Sequence, residues 1–214
     1  MTPRRERLQA SRLYLVCDEQ PNEFLHAVLD AGVDLIQLRM KDAADARIVA
    51  VGRRFAAATA EHGALFILND RPDLVESAGA DGVHVGQDDT PVGDTRAAVG
   101  PDRLVGLSTH SPTQVDAAGG GSADYIGVGP VHETPTKPGR PAVGLALVQY
   151  AAGHATVPFF AIGGISPANV RAVREAGAER IAVVRAITDA PDPAAAARDL
   201  RSAIGATEVR VGAA

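Results

Sequence analysis

The chain has 214 residues, 46% apolar and 22% charged, an ordinary globular composition with ample length to bury a large core. Its formal net charge is −5 without a dense run of Lys and Arg, which argues against nucleic acid and acidic membrane surfaces as partners. A single cysteine, Cys17, rules out an internal disulfide, and no apolar stretch approaches the roughly 20 residues that span a bilayer, so a cytoplasmic enzyme is expected.

Residues 1–12 carry Arg4, Arg5, Arg7 and Arg12 with no apolar run behind them, which reads as a solvated N-terminal arm and not a secretory signal. Eight short runs rich in β-branched residues and leucine then follow, at 13–18, 35–39, 65–70, 82–85, 104–109, 125–130, 159–164 and 180–184. Helical stretches alternate with them, at 22–31, 43–62, 74–77, 92–99, 113–118, 145–152, 167–176 and 193–204. Strand then helix, eight times over, predicts an α/β fold: a single (β/α)8 TIM barrel over 13–204, with 205–214 a tail. Gly32, Gly79 and Gly177 each stand just past a helical run, where a left-handed residue turns the chain back toward the barrel. Ser166-Pro167 reads as the N-cap and first-turn proline of the seventh helix. An open doubly wound sheet would want a glycine-rich turn after the first strand, and Glu19-Gln20-Pro21-Asn22 stands there instead.

In such a barrel the chemistry gathers at the C-terminal strand ends, and the polar residues of this chain fall there. Strand two closes Gln37-Leu38-Arg39-Met40-Lys41, whose period-two alternation turns Gln37, Arg39 and Lys41 to one side. Strand three ends Asn69-Asp70-Arg71, and strand four leads to Asp88-Asp89. Asp70 and Asp89, on neighbouring loops, suit Mg²⁺ with positions left for phosphate and water; the plainer alternative is that these acids only pair with nearby bases. Gly163-Gly164 and the end of strand eight, Val184-Arg185, occupy the usual phosphate position of a barrel, where backbone N–H groups reach an anion unhindered. His84 and His110 read as structural histidines, His84 pointing either into the barrel or toward the helices. Ser108 shows no activating partner, and no nucleophile elbow is present. The long loop after strand six is a candidate lid.

Together these segments resemble the thiamine-phosphate synthase family. The likeness rests on Gln37-Leu38-Arg39-x-Lys41, Asn69-Asp70-Arg71, 81–89, Gly106-x-Ser108-Thr109-His110, Thr134-Pro135-Thr136-Lys137 and 161–165, in order along nearly the whole chain. It implies a Mg²⁺-dependent transferase of thiamine biosynthesis. Such an enzyme joins 4-amino-2-methyl-5-hydroxymethylpyrimidine diphosphate to a thiazole phosphate and releases diphosphate. It further implies that Gln37, Leu38, Arg39, Met40, Lys41 and Asn69 bind the pyrimidine diphosphate, with Arg39 and Lys41 on its charged end. Ser108 would touch the pyrimidine, Lys137 the diphosphate, and Asp70 and Asp89 the metal; Arg39, Lys41, Ser108 and Lys137 would be the catalytic set. Thr134, Pro135, Thr136, Gly164 and the Val184-Arg185 backbone would hold the thiazole phosphate. Arg185 departs from the family, which usually has serine there; backbone contacts to the phosphate would tolerate it. The expected partners are these two small molecules, with homo-oligomerisation left open. The alternatives are a thiazole tautomerase of the same fold, in which Pro130 is replaced by a histidine and the metal-binding acids tend to be lost, and a non-catalytic binder of thiamine precursors.

Overall fold

Eight parallel strands pair in chain order and close on themselves, the first bonding to both the second and the eighth. They are β1 (Leu13–Cys17), β2 (Leu35–Leu38), β3 (Leu65–Asn69), β4 (Gly82–Val85), β5 (Leu104–Thr109), β6 (Tyr125–Val128), β7 (Phe159–Ile162) and β8 (Ile181–Val183). This TIM barrel is seen in a computed structural model that describes residues 2–134 and 141–205. Ahead of β1 stands α1 (Pro3–Ala10). The connections carry α2 (Asn22–Asp30), α3 (Asp45–Glu61), α4 (Val75–Ala78), α5 (Val92–Val99), α6 (Pro112–Gly119), α7 (Gly144–His154) and α8 (Val170–Glu175). After β8 come α9 (Arg185–Thr188) and α10 (Pro193–Gly205).

The strands read as continuous apolar runs because both faces are buried. Leu15, Cys17, Ile36, Leu38, Phe66, Leu68, Val83, Val85 and Val105 face the helices. Their neighbours Tyr14, Val16, Leu35, Leu65, Ile67, Leu104, Tyr125 and Phe160 fill the interior as a second cluster. Cys17 belongs to the outer layer, and burial pushes its thiol well above the usual range, which leaves it unreactive. Gly32, Gly79 and Gly177 take positive φ, as C-terminal turns require.

Two expectations need correction. The N-terminal residues form α1, which is no solvated arm. It lies across the N-terminal end of the barrel, and Leu8, 1% exposed, joins the interior cluster from below. Arg4 and Arg7 reach Asp81, Arg5 reaches Asp124, and Arg7 also donates to the Ala64 carbonyl. The arginines are drawn there because three aspartates ring that end. Asp34, Asp81 and Asp124 each accept from an N–H in the first two residues of a neighbouring strand, at Leu13, Phe66 and Val105. The second correction concerns α8, which begins at Val170 and not at Pro167. The Asn169 side chain accepts from the Ser166 N–H and donates to the Gly164 carbonyl, so 165–169 form a turn locked onto the glycines before the helix starts.

Candidate active site

A cavity of about 350 Å³ opens at the C-terminal ends of the strands, within the range of small-ligand pockets. Its wall contains Gln37, Arg39, Lys41, Asn69, Asp70, Asp89, Ser108, Thr134, Gly164, Val184 and Arg185, so residues far apart in sequence share one space. Leu38 and Met40 do not line it. Leu38 is buried in the layer beneath the helices and Met40 packs against that layer, as period-two alternation from Gln37 requires. Pro135, Thr136 and Lys137 lie outside the described residues, as does the rest of 135–140 in the candidate lid.

One rim is acidic and basic together. Asp70 sits at φ +59, a left-handed position uncommon for a non-glycine residue, and its N–H is held by the His84 carbonyl. That turn directs its carboxylate toward Asp89, with Asn69 donating at 2.6 Å and the Lys41 ammonium at 3.4 Å. Burial raises the Asp70 carboxyl above its ordinary range, the neighbouring Asp89 raises it further, and Lys41 and Asn69 oppose both. Asp89 is itself fixed by the Gly86 N–H at 2.9 Å. A second carboxylate held close enough to disfavour the charge of Asp70 makes a donor set that a divalent cation relieves. No cluster of three or more metal-ligating side chains occurs among the described residues. The two hard oxygen donors of the pair fit Mg²⁺, which takes few protein ligands and completes its shell with phosphate and water.

The opposite rim is made of backbone. Gly163 and Gly164 have φ of +109° and +60°, and α9 begins one residue after β8, a short helix that was not foreseen from the sequence. A Cβ on Gly164 would stand 2.7 Å from His132 Cβ and 3.0 Å from the Glu133 carbonyl oxygen, so the turn and the strand-six loop press together here. The Arg185 side chain is exposed.

Between the rims the floor holds residues the sequence reading passed over. His84 points into the barrel, not toward the helices, because its neighbours Val83 and Val85 take the outer layer. Its Nε2 lies 3.0 Å from Ser108 Oγ, so Ser108 does have a histidine partner; the two come from strands paired in register, β4 and β5. The His84 Nδ1 lies 3.2 Å from the Tyr125 hydroxyl, which is 3.0 Å from that of Tyr14, to which Gln37 Nε2 donates at 2.5 Å. Room for this chain comes from Gly106, where any Cβ would collide with the Tyr125 ring and His84 Nδ1. His110 is anchored on the Gly129 carbonyl at 2.5 Å. The available signal was the flanking valines, whose outward phase sends His84 inward.

Comparison with known proteins gives a consistent picture. Residues 13–187 match a family model described as thiamine monophosphate synthase. The thiamine-phosphate synthase of Acidothermus cellulolyticus is 50% identical over 206 residues, covering 93% of this chain and 97% of that protein. That of Gloeobacter violaceus is 50% identical over 88% of this chain, which spans only 56% of that relative's length. Among solved structures, thiamine phosphate pyrophosphorylase from Pyrococcus furiosus superposes with a TM-score of 0.84 at 31% identity, covering 94% of this chain and 96% of the other.

Proposed function

Since this chain belongs to the thiamine monophosphate synthase family, we propose that its pocket joins 4-amino-2-methyl-5-hydroxymethylpyrimidine diphosphate to a thiazole phosphate, releasing diphosphate. The observation that carries this reading is the division of one cavity into two rims of different chemistry. Asp70, Asp89 and Lys41 stand on one rim, the Gly163-Gly164 turn with the start of α9 stands on the other, and Arg39 lines the same cavity.

Asp70 and Asp89 would hold Mg²⁺, which when bound supplies positive charge to the departing diphosphate. Arg39 and Lys41, joined by Lys137, bind the remaining diphosphate oxygens; Lys41, now paired with Asp70, is already within reach of that site. Gln37, Asn69 and Ser108 orient the pyrimidine so that its exocyclic CH2 faces the opposite rim. No protein nucleophile is needed. The aminopyrimidine delocalises the positive charge that develops as the C–O bond breaks, and the thiazole nitrogen then attacks. Thr134, with Pro135 and Thr136, and the N–H groups at Gly164, Val184 and Arg185 hold the thiazole phosphate. Val16, Phe160 and Ile162 contribute the apolar part of the wall, which limits the water able to trap the developing cation.

The tautomerase reading is disfavoured: both acids face the cavity, and Pro130, where that enzyme has a histidine, lines it. No helix among the described residues is long and apolar enough to cross a membrane. A cytoplasmic location accompanies the proposal, in keeping with a lone buried thiol. The test is to mix the protein with both substrates and Mg²⁺ and measure diphosphate. Release that needs both substrates and the metal is expected; no metal-dependent release overturns the assignment.

A further inference from the structure

The chain of side chains beneath the pocket runs from Gln37 through Tyr14, Tyr125 and His84 to Ser108, and both of its ends line the cavity. We propose that this relay is a specificity device: its proton order makes Ser108 a donor and Gln37 Oε1 an acceptor toward the ligand, with Tyr14, Tyr125 and His84 as positioning residues. The inference rests on the substrate reading above and extends it to residues that need not touch the substrate.

The order follows from counting protons. Gln37 Nε2 donates to the Tyr14 hydroxyl, and the buried Tyr14 proton, which needs an acceptor, takes the Tyr125 oxygen. The Tyr125 proton then goes to His84 Nδ1, which must be the bare nitrogen of a neutral ring. Nε2 therefore carries the hydrogen and donates it to Ser108 Oγ, leaving the serine proton to point at the ligand. Both phenols are 2% exposed or less, and burial holds their ionisation well above the ordinary tyrosine range, so each keeps its one proton. The geometry is rigid. Tyr14, Tyr125 and Phe160 pack edge to face with ring centroids 5.3 to 6.0 Å apart, and Gln87 holds the Ser108 carbonyl at 2.6 Å.

A ligand ring that satisfies both ends offers an N–H to Gln37 and an unprotonated ring nitrogen to Ser108. A 4-aminopyrimidine has that pattern; its 4-oxo analogue sets a carbonyl against Gln37 Oε1 and leaves the Ser108 proton without an acceptor on the ring. Leaving such buried polar groups unpaired is how a site rejects a close analogue. Wild-type protein should bind the 4-amino pyrimidine diphosphate at least about a hundred-fold more tightly than the 4-oxo analogue, read as Kd without the thiazole phosphate because the amino group also governs how readily the C–O bond breaks.

Tyr125→Phe keeps the ring packing and removes the link. His84 can then move its proton to Nδ1, and Ser108 can turn its own hydrogen to His84. The preference should fall to within about ten-fold, and Tyr14→Phe should act in the same direction. A residue that served packing alone would weaken binding of both equally and leave the ratio unmoved. Independently, ¹⁵N NMR of the ligand-free wild-type protein should show His84 as the Nε2–H tautomer. An Nδ1–H tautomer in wild type, or an unchanged ratio in both variants, overturns the relay. Absence of wild-type turnover with the 4-amino substrate would sink the substrate reading, while the tautomer measurement still decides the relay.

Discussion

Replacing Gly164 with alanine separates the two halves of the site. At φ +60 an alanine pays about 1–2 kcal/mol for the left-handed conformation alone. Its Cβ would also stand 2.7 Å from His132 Cβ, closer than carbon atoms approach, so the turn or the strand-six loop must move, at a further cost of about 1–3 kcal/mol. If about 1–2 kcal/mol of that strain falls on the anion position, the KM for the thiazole phosphate rises roughly 5- to 30-fold. Asp70, Asp89 and Lys41 lie on the other rim, so the KM for the pyrimidine diphosphate should stay within about two-fold. The assay is steady-state diphosphate release, varying each substrate with the other saturating. A parallel rise in both KM values, or a rise confined to the pyrimidine diphosphate, would refute the assignment of the glycine turn to the second phosphate.

Asp70→Asn should reduce metal-dependent turnover by at least about a hundred-fold while raising the melting temperature in chelator at neutral pH. Its carboxyl binds protons more tightly folded than unfolded, so wild type loses stability as pH rises from the ordinary carboxylate range through the raised one, and the substitution removes that loss. A variant that melts no higher than wild type would refute the like-charge strain. Leu8→Ala empties a fully buried position under the barrel and should cost about 2–4 kcal/mol, lowering the midpoint of thermal unfolding by roughly 5–15 °C, with turnover at 25 °C unchanged. A shift below about 2 °C would mean that α1 does not seal the interior. Arg185→Ser should alter the KM for the thiazole phosphate by less than about three-fold, because the side chain is exposed and an exposed ion pair contributes little. A larger change would mean that the arginine side chain is part of the phosphate site.

The barrel was legible because its signal is repetitive: eight apolar runs with period-two neighbours, each followed by a helix. The ends of elements were less so. Strand six was expected to reach Pro130 and stops at Val128, and strand seven stops at Ile162 instead of Gly164, because the chain leaves the ladder to form the pocket's wall. The acidic rim was readable, since Asp70 and Asp89 follow adjacent strands. The floor was not: Tyr14 and Tyr125 look like ordinary strand aromatics until registry brings them beside His84. Leu38 and Met40 fall within the family's binding segment, yet alternation turns their side chains away from the cavity. For α1, the arginine-rich start suggested solvent, and the partners of Arg4, Arg5 and Arg7 at residues 81 and 124 are too distant in sequence to be noticed.

The seal at the bottom of the barrel has a consequence for the order of folding. Helix α1 leaves the ribosome before any strand, yet Arg5 waits for Asp124, and Gln9 waits for Arg180, whose guanidinium donates to its carbonyl. Until most of the barrel has been synthesised, Leu8 has no closed interior to enter, and eight isolated residues are too few for a stable helix in water. This helix, made ahead of the barrel strands, is therefore among the last elements to settle, and nascent chains halted before residue 124 should leave 3–10 open to protease while chains released beyond β8 protect it.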